Sequence, residues 1–281
     1  MRILITGGNG FVGHNLAQAY HKQGVEVLII DNLSAKFERS RIPGVEYRIK
    51  DTGMLEEDDF EGISHVVHLG EYARVEQSLE NFEEVMKSNR NNFWKVISYC
   101  SRFGLKLIYS ASSTLFADAG KAQYYSPYTL SKKQNVELLN SFAKWYGLNY
   151  AICYFNNVYG PGEIDEGENA TVVGKFIKLK SDGAEFAPVS SPGTQRRCFT
   201  HIEDTVSALQ LIIRKGQGDG YQIGVDEPVS ILELASLLDM KVTLQESSIA
   251  NRMNSSVDNS KVRSLGWKPK MSLRKYLSKQ K

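Results

Sequence analysis

The sequence predicts an α/β protein built on a doubly wound parallel sheet, and three observations carry that prediction. Apolar runs of strand length alternate with amphipathic stretches of helix length through the first half of the chain. The first run, residues 3–5, ends in Gly7, Gly10 and Gly13, three glycines at three-residue spacing, and an amphipathic segment over 11–23 follows. A second apolar run, 25–30, ends in an acid, Asp31.

These parts make chemical sense together. The first glycine permits a turn that a Cβ would block, the second lets the backbone approach a pyrophosphate, and the third lets helix and strand pack closely. The new helix offers its unpaired N–H groups and positive dipole end to phosphate. An acid in the place of Asp31 accepts hydrogen bonds from an adenosine ribose and repels a 2′-phosphate. An ordinary βαβ unit with an incidental acid is the alternative. The complete set of parts points to a dinucleotide site of the Rossmann type, with NAD as the cofactor.

The remaining elements follow in order. Strands are expected over 45–49, 65–69, 105–109 and 150–154, with long helices over 82–103 and 127–146 between the later ones. After Gly160-Pro161-Gly162 the alternation becomes irregular. Helices are expected over 169–182, 203–214 and 231–238, with a further one over 258–265 stopped by Gly266. Short strands are expected over 184–188, 220–223 and 241–244. The division that results is an NAD-binding Rossmann domain over 1–165 with a return segment near 195–224. Residues 166–194 and 225–281 form a smaller C-terminal substrate-binding lobe.

Composition narrows the function. The chain has 281 residues, 23% of them charged, with a net charge of +2, and its basic residues are scattered. That gives no case for a nucleic-acid partner, and the basic residues over 268–281 read as a soluble tail. No apolar run approaches the ~20 residues of a membrane span. The chain opens on a strand, which leaves no room for a signal peptide. Cys100, Cys153 and Cys198 are odd in number, widely spaced and match no zinc or disulfide pattern. A cytoplasmic protein with reduced thiols and no metal site is expected.

Tyr128 and Lys132 follow Pro127, where a helix should start, and a spacing of four puts both side chains on one helix face. A nearby ammonium favours a phenolate, which can then take a proton. With 14 tyrosines in the chain such a pair also arises by chance, so position matters. The pair follows the strand over 105–109, which runs into Ser110-Ala111-Ser112-Ser113-Thr114, and ligands of such sheets bind beyond the strand carboxyl ends.

At these residues the chain resembles the extended short-chain dehydrogenase/reductase family, the NAD-dependent sugar-nucleotide epimerases and dehydratases, over nearly its whole length. Thr6 to Gly13 resembles the family's cofactor loop, which implies Phe11 and Val12 as cofactor-binding residues beside the three glycines. Asp31-Asn32-Leu33-Ser34 resembles its ribose turn, and Asp51 the acid near the adenine. His68-Leu69-Gly70 resembles the end of its fourth strand, and Asn89 its helix asparagine; the resemblance thereby implies Leu69 and Asn89 as cofactor residues. Ser112 resembles the catalytic hydroxyl, and Ser126-Pro-Tyr128-Thr-Leu-Ser-Lys132 the Tyr/Lys motif. Asn157-Val-Tyr-Gly-Pro161 resembles a substrate-binding turn, and the segment from Gly193 through Arg197 to Asp204 the diphosphate-binding arginine segment. Asp258 to Pro269 resembles the C-terminal signature. Arg252 is assigned to a phosphate contact, although it precedes Asp258 by less than the usual spacing.

Departures bear on the reaction. The family's dehydratases carry an Asp-Glu pair where Ser113 and Thr114 stand, which argues against 4,6-dehydration. Its C3/C5 epimerases place a cysteine where Thr114 stands. Tyr154 replaces an expected arginine, Cys198 an aspartate and Phe116 a tyrosine. Glu71, Tyr72 and Arg74, just past a strand end, are unusual, and either read the sugar or pack and pair. The resemblance implies a nucleotide-sugar substrate contacted by Arg74, Ser112, Ser113, Asn157, Arg197 and Arg252. It implies a catalytic trio of Ser112, Tyr128 and Lys132 and oxidation at C4, most simply as reversible epimerisation. The rivals are a net 4-dehydrogenase or 4-ketoreductase with the same site, and a non-catalytic NAD-binding scaffold. A homodimer is expected through the helices over 82–103 and 127–146, which carry Phe93, Trp94, Ile97, Val136 and Leu139. For Arg197 the competing role is an ion pair with Glu203 or Asp204.

Overall fold

The computed structural model describes residues 1–35, 39–167 and 169–280. Six strands appear where the alternation places them: β1 (Arg2–Thr6), β2 (Glu26–Asp31), β3 (Glu46–Ile49), β4 (His65–His68), β5 (Lys106–Ser112) and β6 (Tyr150–Phe155). A seventh, Gly218–Ile223, returns to pair with β6. All seven are parallel, and the order from that returning strand is β6, β5, β4, β1, β2, β3. The order reverses between β1 and β4, which opens a crevice at their carboxyl ends.

Alternation along each strand divides the core into two layers, because successive side chains point to opposite faces. Ile3, Ile5, Val27, Ile29 and Val67 face the helices Phe11–His21 and Ile202–Lys215. Leu4, Leu28, Ile30, Val66 and Leu107 face Asn92–Arg102 and Pro127–Tyr146. Each fully buried Leu or Ile contributes about 1.5–3 kcal/mol, so register is strongly specified on both faces. A third cluster, with Val173, Phe176, Ala187, Val189, Leu234, Leu273 and Leu277, fills the smaller lobe around the parallel pair Phe186–Ser190 and Lys241–Gln245.

Local chemistry sets the ends of the helix that carries Tyr128. Ser126 accepts a hydrogen bond from Thr129 N–H, the Thr129 hydroxyl oxygen accepts from Ser126 N–H, and Pro127 occupies the first turn. Gly147, at φ +68°, ends the helix in the left-handed region.

Three expectations are corrected. The basic residues after 268 are not a free tail, because Leu273–Leu277 is helical and buries Leu273 and Leu277 in the lobe; Lys281 lies outside the described residues. The stretch over 82–103 is interrupted by a π-helical turn, Met86–Asn91. The apolar residues expected on its outer face, Phe93 and Ile97, with Leu139 opposite, lie inside the core.

Candidate active site

A cleft of about 750 Å³ lies over the crevice and holds nearly all the expected site residues. Gly7, Gly10, Phe11, Val12 and Gly13 form one wall, with Asp31, Asn32, Asp51 and Leu69 beside them. Gly7 has φ +69°, and a Cβ there would meet the Gly70 backbone at 2.7 Å. A Cβ on Gly13 would meet the Gly7 carbonyl at 2.3 Å, so strand and helix touch only because neither residue has a side chain. At Gly10 a Cβ would meet nothing in the chain closer than that same carbonyl at 3.2 Å. The backbone is thus bare toward the cleft, and Gly10 caps the helix Phe11–His21 without a side-chain bond. Its first N–H groups are positioned for an anion.

Asp31 is held by Asn9 N–H at 2.9 Å and Leu33 N–H at 2.8 Å. Asp51 accepts from Asn32 Nδ2 at 3.0 Å and Asn92 Nδ2 at 2.5 Å. These are the acceptors a diol and an adenine edge need, and the cleft fits a dinucleotide. A fixed carboxylate at Asp31 should favour NAD over NADP by several-fold or more. Fluorescence titration with both dinucleotides checks this; tighter NADP binding would refute it.

The three residues expected to be catalytic line the same cleft. Ser112 ends β5, and its Oγ accepts from the Thr114 N–H at 3.3 Å and the Thr114 hydroxyl at 3.0 Å. Its own O–H is left to donate. Tyr128 and Lys132 are both buried, with Lys132 Nζ 5.8 Å from the Tyr128 ring centre. Lys132 donates to the Ser110 carbonyl at 2.5 Å and to the Glu71 carboxylate.

Of the two expected roles for Glu71, the structure shows the packed and paired one. Its side chain is 1% exposed and turned inward, accepting from Lys132, from Asn135 Nδ2 at 3.0 Å and from Tyr109 Oη at 3.2 Å. His68 Nε2 lies 3.5 Å from it. Its place directly after a strand end is the only sequence signal of this role. Arg74 does line the cleft, and its Nε donates to Asn169 Oδ1 at 3.1 Å; burial draws its guanidinium below the ordinary value.

Asn89, expected at the cofactor, is not on the cleft wall. Its Oδ1 accepts from Tyr72 N–H at 2.7 Å, and its Nδ2 donates to Tyr72 O and Ser131 Oγ, both at 3.1 Å. The π-helical turn brings Asn89 and Ser88 to the Tyr72 backbone, so this amide shapes the segment after β4 from behind.

Two arginines converge on the cleft, Arg197 from the segment near 195–224 and Arg252 from the C-terminal stretch. Arg197 donates to Asn251 Oδ1 at 3.0 Å and to the Arg196 carbonyl at 2.9 Å; Arg252 reaches Asn157 Oδ1 at 3.4 Å. Burial, with the Arg252 charge, pulls Arg197 down to about 9, and burial lowers Arg252 as well. Arg252 Nε is buried with no hydrogen-bond partner among the described residues. The ion pair of Arg197 with Asp204 is not formed, since Asp204 accepts from Lys270 and Met271 N–H at 2.9 Å, and no carboxylate lies within salt-bridge distance of Arg197 among the described residues. Two desolvated like charges, offset by Asp118 and Glu76 but salt-bridged to neither among the described residues, suit an anion. Asp118, which the sequence did not single out, pins the segment carrying Arg252 by accepting from Met253 and Asn254 N–H. The departures also find partners: the Phe116 and Tyr154 rings meet edge-on at 4.8 Å, and Cys198 O accepts from Asn157 Nδ2 at 2.9 Å.

Glu163 shapes the rim. It accepts from Gly160 N–H at 3.1 Å and from the Thr171 hydroxyl, and Thr171 caps the helix Val172–Ser181. Burial pushes its carboxyl up from 4.5 to about 7, against the pull of those hydrogen bonds. A carboxyl that holds its proton more tightly when folded stabilises the fold at acid pH. That contribution fades as pH rises through 4.5 to about 7. The wild type should therefore lose about 3 kcal/mol more than Glu163→Gln across that window. Urea unfolding of both proteins at several pH values measures it, and parallel curves would refute it.

Comparison with known proteins agrees with this geometry. Residues 3–224 match the model of the NAD dependent epimerase/dehydratase family. The UDP-glucose 4-epimerase of Thermotoga maritima, solved with UDP-glucose, superposes with a TM-score of 0.91 at 25% identity, covering 99% of this chain and 96% of that one. A UDP-glucuronate 4-epimerase of Arabidopsis thaliana is 26% identical over 99% of this chain and 74% of its own length. A dTDP-4-dehydro-6-deoxy-D-allose reductase from a Streptomyces species is 26% identical over 84% of this chain and 79% of its own. With a glycine cradle, a Tyr/Lys pair and an arginine-lined cleft in place, the chain belongs to the NAD dependent epimerase/dehydratase family and is an NAD-dependent enzyme.

Proposed function

We propose that this protein is a nucleotide-sugar epimerase that works through oxidation at C4 and a 4-keto sugar. The observation that carries the reading is that one cleft is lined by the glycine cradle, by Ser112, Tyr128 and Lys132, and by the buried pair Arg197 and Arg252. Bound NAD supplies the acceptance and return of hydride. The chain's own residues do the rest. Arg197, Arg252 and Asn157 hold the diphosphate. Ser112 donates its O–H to the sugar oxygen, and Tyr128 Oη takes the hydroxyl proton and later gives it back. Lys132, with two of its three N–H donors used by Glu71 and Ser110, has one left for the cofactor side. Residues 166–194 and 225–281 form the substrate lobe in this reading.

The test is incubation with a panel of nucleotide sugars and NMR of the products. A C4 epimer with no accumulation of reduced cofactor is expected. Net reduced or oxidised sugar would establish the dehydrogenase or ketoreductase instead, and no turnover of any nucleotide sugar would reject the reading.

We further propose a homodimer in the cytoplasm. Trp94, Trp145 and Tyr146 are 52%, 65% and 64% exposed and cluster around Phe142 on the outer face of two adjacent helices. A second copy of the same face covers them well. Three buried, unpaired cysteines suit a reducing compartment. Light scattering should give twice the chain mass of 31.6 kDa, and Trp94→Glu should halve it. A wild-type monomer at micromolar concentration would reject the dimer.

A further inference from the structure

Glu71 is a buried carboxylate placed against the catalytic lysine, and the reaction outlined above does not use it. The groups around the pair come from every neighbouring element. His68 lies at the end of β4, Tyr109 and the Ser110 carbonyl on β5, Cys153 on β6, and Tyr128 and Asn135 on the helix of Lys132. The positive charges of Arg74 and Arg252 act on Tyr128 from across the cleft. Among these neighbours Glu71 is the only carboxylate within salt-bridge distance of Lys132.

We propose that Glu71 is a positioning residue for proton transfer: it anchors Lys132 Nζ beside Tyr128 and keeps the ammonium charged inside a buried site that already carries two nearby guanidinium groups. The geometry supports this from both ends. Glu71 cannot swing away, because Asn135 and Tyr109 hold its two oxygens and Asn135 is itself tied to the Asn89 carbonyl at 2.6 Å. Among the described residues no other carboxylate lies within salt-bridge distance of Lys132. Burial alone would strip its proton, but the Glu71 charge reverses this and holds the ammonium above its ordinary value. Burial would likewise protonate Glu71, and Lys132 with His68 draws it below its ordinary value. Each charge exists because the other does.

The inference rests on the proposed roles of Tyr128 and Lys132, but its test needs no sugar. Protein carrying ¹³C-labelled lysine, saturated with NAD, is titrated by NMR, and the Lys132 Cε signal is assigned by its loss in Lys132→Met. In the wild type that signal should keep its ammonium position throughout the stable pH range. In Glu71→Gln its midpoint should fall by about 1–3 pH units, because the neutral amide keeps the shape and removes the charge. Turnover of that variant should gain an alkaline limb with the same midpoint, while KM for the nucleotide sugar hardly changes. A Lys132 midpoint unmoved by Glu71→Gln would overturn the proposal. If Glu71→Gln does not fold, the wild-type titration decides, since a Lys132 midpoint below the ordinary lysine value would overturn it too. Failure of the sugar panel with the expected NMR shift would reject the substrate and leave the Glu71–Lys132 assignment standing.

Discussion

Replacing Tyr128 by phenylalanine is expected to lower turnover by about 10²–10⁴-fold while NAD affinity stays close to that of the wild type, the usual cost of removing a positioned proton-transfer group. The ring is 8% exposed and packed at the start of its helix, with its backbone N–H donating to Ser78 Oγ at 3.3 Å. Phenylalanine fills the same space, so the loss is confined to the hydroxyl. In the proposed reading the dinucleotide is held by the glycine turn, Asp31 and Asp51, whose carboxylates bond backbone N–H groups and not that oxygen. Steady-state kinetics on the turned-over nucleotide sugar and fluorescence titration with NAD measure the two halves. Near-normal turnover by Tyr128→Phe would remove this tyrosine from the chemistry and revive the reading of the fold as a non-catalytic NAD-binding scaffold.

Arg197→Lys is expected to raise KM for the nucleotide sugar by about 10–100-fold with little change in turnover number. One charge-assisted contact is worth about 1.5–3 kcal/mol, and a lysine ammonium cannot reproduce the two-point geometry of guanidinium on phosphate. Contacts made equally in ground and transition states appear in KM. The surroundings of Arg197 suit phosphate binding, because the side chain is largely buried, faces the cleft, and feels the Arg252 charge more strongly than those of Asp118 and Glu76. Calorimetry with a plain nucleoside diphosphate should show the same weakening, and NAD affinity should hardly move. Unchanged diphosphate affinity would place the handle elsewhere and favour a substrate without a nucleotide.

The parts of the site that were legible in the sequence are those built by near neighbours in the chain. The glycine turn must be read locally, because φ at Gly7 and the approach of Gly13 to the Gly7 carbonyl are settled within seven residues. Tyr128 and Lys132 share a face through helical spacing alone, and Ser126 with Pro127 marks where that helix starts. Six of the seven strands of the sheet were equally plain, most of them because burial on both faces demands apolar runs; β3 at the edge is the polar, exposed exception. Helix ends and the short lobe elements were less so, because Leu273 and Leu277 show their burial only once the lobe's core surrounds them.

What only the tertiary structure decided were the contacts between residues far apart in the chain. Glu71 and Lys132 are 61 positions apart, and nothing local says whether an acid after a strand end turns toward a sugar or toward a buried lysine. Asn89 carried a motif, yet its amide is spent on Tyr72 and Ser131 rather than on the cleft. Arg197 and Arg252 meet because Asp118 and Asn157, from two other segments, fix the strands and loops that carry them. The apolar residues of the two long helices divided in the same way, Phe93 and Leu139 inward, Trp94 and Trp145 outward. The sequence by itself determined the sheet, the dinucleotide cradle and the Tyr/Lys pair, where spacing along the backbone sets the geometry. Charge pairing and burial across the fold depend on which distant segments the packing brings together, and that is why the partner of Lys132 and the arginine pair emerged only in three dimensions.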